Sequence, residues 1–256
     1  MSRSLQGRVA VVTGAGRNIG AATAMQLAAD GAAVVVNYPD ARNEAEAARV
    51  VARIGGAGGR AAAIRADVSN EAEVRTMVAE AISVFGHPDI LVNNAAVSVA
   101  AQAPWSELTD EAWDRVLRVN VTGAFLCAKA MYQSMRERGG GDIVNISSVT
   151  ALLGHVGNLH YVTSKAALIG FTRALAREAG GERIRVNALI VGAIRTPDEA
   201  VYGNQEEVDT MVLSLQSLKR RGIPTDIGGV VSFLVSGDAG FITGQCITVD
   251  GGWVMH

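Results

Sequence analysis

The chain of 256 residues contains only two cysteines, Cys127 and Cys246. They lie far apart, form no C-x-x-C and have no histidine or cysteine at zinc-ligand spacing. No metal site is expected, and both read as small buried apolar groups. Charge of one sign is missing too. With 23 lysines and arginines against 25 aspartates and glutamates, and a formal net charge of −2, the chain has no electrostatic footprint for nucleic acid or an anionic membrane surface. No apolar run reaches membrane-spanning length. Met1 to Arg8 leads straight into a strand pattern without the apolar stretch or small-residue cleavage site of a secretory signal, so a cytoplasmic location is expected. There is no internal repeat, coiled-coil heptad or interdomain linker.

What the chain does have is apolar mass, 49% of residues against 19% charged, and 29 glycines. At this length the balance predicts one large α/β domain over residues 1–256 with a substantial core. Short β-branched or alanine-rich runs occur at Arg8 to Thr13, Ala33 to Val36, Ala61 to Ala66, Ile90 to Val92, Ile143 to Ile146, Arg185 to Ala188 and Cys246 to Val249. Helical stretches fall between and around them, at about 19–30, 42–54, 70–85, 106–137, 160–180 and 224–236. Strands this apolar belong in a parallel sheet covered on both faces, and right-handed crossovers make it a doubly wound, seven-stranded sheet. Ala22, Leu27 and Ala28 should face the sheet from the first helix, with Gly31 capping its end. Ser69 or Asn70 should cap the third. Irregular stretches are expected at Gly55 to Gly59, at Gly139 to Gly141 and from Val191 to about Gln205. The 191–222 region, with Pro197 and Gly203, is expected to lie over a site as a substrate lid.

Thr13-Gly14-Ala-Gly16-Arg17-Asn18-Ile19-Gly20 joins the first strand to the first helix. Such a turn puts free backbone N–H groups and a positive helix end beside a pyrophosphate, and Gly14, Gly16 and Gly20 let backbone approach it. After the second strand, where an acid would bond the adenosine ribose of NAD, stands Asn37-Tyr38-Pro39-Asp40. Arg17, with Arg42 more distant, can instead meet a 2′-phosphate. NADP(H) is therefore favoured over NAD(H). In the other reading Arg17 is solvated and Asp40 turns back to the ribose.

Tyr161 and Lys165 stand at i and i+4 on one face of a predicted helix. The chain has four tyrosines and three lysines, so a chance Tyr-x-x-x-Lys is roughly a one-in-twenty event. An ammonium beside a phenol stabilises the phenolate and turns a poor acid/base into a useful one, able to protonate a carbonyl oxygen as hydride arrives.

From Gly7 to Gly252 the chain resembles the short-chain dehydrogenase/reductase family, especially its 3-oxoacyl carrier-protein reductases. The matching pieces are the glycine turn, Asp67-Val68, Asn93-Asn94-Ala95, Asn120, Ser147-Ser148, Tyr161-x-x-x-Lys165 and Ile242-Thr-Gly-Gln-Cys-Ile-Thr-Val-Asp250-Gly-Gly. The resemblance implies a single-domain Rossmann fold and a catalytic set of Asn120, Ser148, Tyr161 and Lys165. Ser148 would hold the substrate oxygen, Lys165 the nicotinamide ribose, and Asn120 a water relaying protons. It implies dinucleotide contacts from Gly14, Gly16, Arg17, Asn18, Ile19, Gly20, Asn37, Tyr38, Asp67, Val68, Asn94, Ala95, Val191, Gly192, Ile194 and Thr196 as well. Three positions depart from the family pattern: Asn18 and Ala96, each where glycine is common, and Val191-Gly192 where Pro-Gly is usual. His155 and His160 flank the site as substrate contacts or plain surface. Trp105, Trp113 and Trp253 read as packing residues, with Trp253, near the C-terminus, the one placed to reach a neighbouring subunit.

The expected activity is hydride transfer between NADP(H) and a ketone or secondary alcohol. A free small molecule is preferred to a carrier-borne substrate, for which Arg136, Arg138, Arg173 and Arg177 would supply docking charge against Glu178 and Glu182. The enoyl-reductase branch, which spaces tyrosine and lysine more widely, and the usually longer epimerase and dehydratase branch are disfavoured. A non-catalytic NADP(H) sensor is the alternative from another class; a methyltransferase is remote. The resemblance further implies a homotetramer paired through the helices at 106–137 and 160–180, where Ala166, Ala167, Ala174 and Ala176 would allow close contact. Substrate identity is expected to reside in loops at about 96–104, 149–159 and 192–217.

Overall fold

A computed structural model describes residues 4–97, 103–155 and 157–255, so the expected substrate loops at 96–104 and 149–159 lie partly outside the described residues. Along the chain run β1 Val9–Val12, α1 Asn18–Ala29, β2 Ala33–Tyr38, α2 Glu44–Gly56, β3 Arg60–Arg65, α3 Glu71–Phe85 and β4 Ile90–Asn93. Then come α4 Asp110–Leu117, α5 Gly123–Glu137, β5 Gly141–Ser148, α6 Thr150–Leu153 and α7 Leu159–Ala179. The chain ends with β6 Ile184–Val191, α8 Gln205–Leu215, α9 Pro224–Val235 and β7 Cys246–Val249. All seven strands pair in parallel in the order β3-β2-β1-β4-β5-β6-β7. This is the expected doubly wound sheet.

The pleat sends alternate side chains to opposite layers, so every apolar residue of a central strand finds a helix to cover it. Ala10, Val12, Val34, Val36, Ile90 and Val92 pack on one face with Leu27, Ile54, Ile227 and Leu234 of α1, α2 and α9. Val11, Val35 and Leu91 face the other way, into Met77, Leu126 and Met131 of α3 and α5. Ala22, Leu27 and Ala28 are buried as expected. Gly31 follows α1 with φ +106°, and Asn70 caps α3 by accepting from Ala72 N at 3.0 Å. Among the described residues no helix is long and apolar enough to cross a membrane.

Two expectations need correction. The single helix at 106–137 is interrupted by a π-helical turn, Arg118–Thr122, between α4 and α5. Asn120 lies in that turn with its side chain bonded to Val97 and Ser164, and a π turn is a common way to re-aim one residue inside a helix. The stretch from Val191 to about Gln205 is not all irregular, since it holds a 3₁₀ segment Pro197–Tyr202, and the helix α8 that follows is not among the expected ones; Asn204 caps it by accepting from Glu206 N at 2.9 Å. Its apolar periodicity is too short to read against its acidic first turn.

Candidate active site

The crossovers on either side of β1 leave for opposite faces, which opens a crevice at the carboxyl ends of β1 and β4. Around it lies a cavity of about 1220 Å³. Every residue expected to contact the dinucleotide lines it, together with Ser148, Tyr161 and Lys165. Asn120 does not.

Thr13 and Asn94 hold the glycine turn. Thr13 Oγ1 accepts from Asn94 N and Ala95 N, both at 3.0 Å, and Asn94 Nδ2 donates to Thr13 O at 2.8 Å and to Gly14 O at 3.1 Å. Gly14 has φ +60°, and a Cβ there would sit 3.0 Å from Ala95 Cα. At Gly20 it would lie 2.5 Å from Gly14 O, so any side chain would break the turn. Asn18 opens α1 with φ +50°, the left-handed backbone that asparagine tolerates. Arg17 ahead of it makes no side-chain cap, and the first turn of α1 carries no acid of its own.

Asn37 is buried and spent on structure: its Oδ1 accepts from Gly14 N at 3.1 Å and its Nδ2 donates to Ala66 O at 3.0 Å. It shapes the turn more than it presents a polar group. Asp40 accepts from Arg42 N, Nε and NH2 at 2.9, 3.1 and 2.7 Å, and that hydrogen-bonded guanidinium holds its carboxyl below the usual range. The reading in which Asp40 turns back to a ribose finds no support in this arrangement. Asp67 Oδ1 accepts from Ser69 N at 2.9 Å and Ser69 Oγ at 2.7 Å.

On the opposite wall, α7 carries Tyr161 and Lys165. The Lys165 side chain is buried; its Nζ donates to Ile146 O at 2.8 Å and lies 5.5 Å from the centroid of the Tyr161 ring. No carboxylate pairs with it among the described residues. Burial therefore pushes its pKa down to about 8, because the interior disfavours the charged form. Ser148 Oγ accepts from Thr150 Oγ1 at 3.0 Å. Asn120 Oδ1 accepts from Val97 N at 2.8 Å, and its Nδ2 donates to Ser164 Oγ at 2.9 Å and Val97 O at 3.2 Å. Ser164 Oγ in turn donates to Tyr161 O at 2.7 Å. The Asn120 side chain thus ties the segment after β4 to the first turns of α7.

Sequence reasoning missed a buried relay beneath this wall, in which Asn93 Nδ2 donates to Asn145 Oδ1 and Asn145 Nδ2 to Thr172 Oγ1, each at 2.8 Å. Only the pairing of β4 with β5 brings those amides together. It also missed Asp198, Met211 and Glu207 on the cavity wall, and assigned Trp253 to packing although it lines the cavity. His155 and Asn158 line it as well; His160 is buried off that wall.

The comparisons with known proteins agree with this architecture. The family model described as "Enoyl-(Acyl carrier protein) reductase" matches residues 14–254. This chain belongs to the short-chain dehydrogenase/reductase family of oxidoreductases. It is similar to a 3-oxoacyl-[acyl-carrier-protein] reductase of Synechocystis, 40% identical over 98% of this chain and 99% of the relative. A hydroxynaphthalene reductase-like protein Arp2 of Metarhizium guizhouense is 41% identical over 98% and 97%. A solved structure of a blue fluorescent protein from a metagenomic library, in complex with NADPH, superposes with a TM-score of 0.90 at 39% identity, covering 98% of this chain and all (100%) of that one.

Proposed function

We propose that the protein transfers hydride between NADP(H) and a ketone or secondary alcohol on a free small molecule. The observation that carries the reading is a phenol and a buried ammonium, with no carboxylate partner among the described residues, on one face of α7, across a single cavity from a turn whose Gly14 and Gly20 leave no room for a Cβ. When bound, the nicotinamide supplies or accepts the hydride. Tyr161 gives its phenolic proton to the carbonyl oxygen in reduction and takes it back in oxidation. Lys165, 5.5 Å from the ring, lowers the cost of the phenolate left behind. Ser148 holds the substrate oxygen, and Asn120 acts by fixing the backbone on both sides. Glycine-turn contacts, Asp67, Val68 and the 191–196 stretch hold the dinucleotide, with Arg17 toward the 2′-phosphate. The NADPH complex of a relative 39% identical supports that choice. The 191–222 segment closes over the substrate as a lid.

A carrier-borne 3-oxoacyl substrate is the second reading, favoured by the name of the Synechocystis relative. Two of the four docking arginines are engaged within the chain: Arg136 pairs with Glu182 at 2.6 Å, and Arg138 lies 3.6 Å from Asp89. This favours the free substrate. An enoyl substrate fits less well, since the family's enoyl reductases space the tyrosine and lysine more widely.

Assembly as a homotetramer through α5 and α7 goes with the same reading. Ala166 and Ala174 are exposed there, beside Phe125 at 49% and Tyr132 at 41% exposure. Ala176 is not available for such contact, because it is buried toward the sheet. Sedimentation as a stable monomer would remove the tetramer.

The activity is tested by following absorbance at 340 nm with NADPH and a panel of free ketones and carrier-bound 3-oxoacyl thioesters. Tyr161→Phe should lower turnover by about 10³-fold. Equal idleness of both proteins on every substrate, with NADPH still bound, would leave the non-catalytic sensor.

A further inference from the structure

Asn18 is more than a stand-in for glycine at the left-handed start of α1. Its Nδ2 donates at 2.8 Å to Asp198 Oδ2, 180 residues further along the chain. The same carboxylate oxygen lies 3.5 Å from Arg17 NH2. Asp198 is the second residue of the 3₁₀ segment Pro197–Tyr202, which sits in the proposed lid. It cannot drift far. Its neighbour Glu199 is ion-paired at 2.5 Å with the buried Arg221, which also grips Asp209 of α8. Asn18, Arg17 and Asp198 all line the cavity.

We propose that Asp198 and the 2′-phosphate of NADP(H) claim the same guanidinium, so that this one lid carboxylate sets how strongly NADP(H) is preferred over NAD(H). The inference rests on reading Arg17 as the partner of the 2′-phosphate. Arg17 and Asp198 are both substantially exposed, with side chains 56% and 44% accessible, so the pair is solvated and easily exchanged. A phosphate carries more charge than a carboxylate and offers three acceptor oxygens, which lets it take the guanidinium. Asp198 then remains tethered nearby by Asn18, a negative charge facing another. That repulsion weighs more on NADP(H), because its 2′-phosphate adds charge where NAD(H) has a neutral ribose hydroxyl, while the pyrophosphate is common to both.

The test is titration of NADPH and NADH into the full-length protein and its variants, read by nucleotide fluorescence. Asp198→Asn should tighten NADPH by about three- to tenfold and change NADH by less than about twofold. In an Arg17→Ala background the Asp198→Asn gain should shrink to the part that comes from direct repulsion by the carboxylate tethered to Asn18. Asn18→Gly, which suits the left-handed backbone and frees the carboxylate from its tether, should also tighten NADPH selectively. If Arg17→Ala weakens NADPH but Asp198→Asn leaves it unchanged, or tightens both nucleotides alike, the competition is wrong while the cofactor reading stands. If Arg17→Ala weakens neither nucleotide selectively, the cofactor reading fails and this inference fails with it.

Discussion

The two ends of the sheet carry buried charge in opposite ways. At the amino ends, Arg8 meets Asp89 at 2.5 Å and Asp142 at 2.8 Å, Arg185 meets Asp142 at 2.6 Å, and Val9 N donates to Asp89 Oδ1 at 2.9 Å. Every one of these charges has an opposite partner, and the network ties the starts of β1, β4, β5 and β6 together. At the carboxyl ends, Lys165 is as deeply buried and has a carbonyl in place of a carboxylate. A paired network can break even on stability, whereas an unpaired ammonium costs folding free energy. The amino ends therefore read as construction. The carboxyl ends read as a place where stability is surrendered for chemistry.

Lys165→Met should separate the two roles most sharply. On the proposed mechanism turnover falls by about 10²- to 10⁴-fold, since the phenolate loses its counter-charge. Stability should move the other way. The folded pKa near 8 lies below the ordinary lysine value, so the unfolded chain binds the proton more tightly. Stability linked to this group is therefore present above the unfolded pKa and lost as pH falls through about 8. Below that pH the methionine variant should unfold at higher urea than the parent, by about 1–3 kcal/mol, and the gap should narrow toward pH 10. A less stable variant at neutral pH would show Lys165 to be a structural residue.

Asp142→Ala probes the opposite end. Removing the carboxylate shared by Arg8 and Arg185 leaves buried guanidinium charge with fewer partners, at a cost of about 3 kcal/mol in urea unfolding. The ratio kcat/KM should stay within about twofold, because the site is at the other end of the strands. A large loss of activity with stability intact would erase the distinction between the ends.

Legibility in the sequence follows the same division. Strand cores, the glycine turn and Tyr161-x-x-x-Lys165 are local patterns: a period of two, a turn that needs glycine at Gly14 and Gly20, and one helix face each fit in a few residues. The seven strands and most helices could be read for that reason. Pairings between distant segments could not. Nothing near Asn145 announces Thr172, and nothing near Asn18 announces Asp198. The break at Arg118–Thr122 was hidden because a π turn leaves helical propensity unchanged and depends on where Asn120 finds partners. Asp40 and Arg42 looked available to a cofactor although they satisfy each other two residues apart, because the sequence does not show which way two exposed side chains turn.

Asn120→Ala tests one such distant pairing. It leaves Val97 N and O without their partner amide and unties α7 from the segment after β4, which should cost about 1–3 kcal/mol of stability. KM should rise more than kcat falls, since the loop it holds contributes Val97 to the cavity wall while Tyr161 and Lys165 keep their own helix. A collapse of kcat with KM unchanged would point instead to the proton-relay role that the family resemblance implies.

Arg42→Ala carries the smallest expected effect. Its guanidinium donates to Asp40 through both Nε and NH2, a two-point hold that the single 3.5 Å approach of Arg17 to Asp198 lacks. A 2′-phosphate gains little from a cation already neutralised by a neighbour, so affinity for NADPH should fall by about twofold or less. Arg17→Ala should weaken the same cofactor by about tenfold or more. If the two variants weaken NADPH equally, the local Asp40–Arg42 pair opens when the nucleotide enters. The phosphate site would then be shared between the glycine turn and the segment after β2.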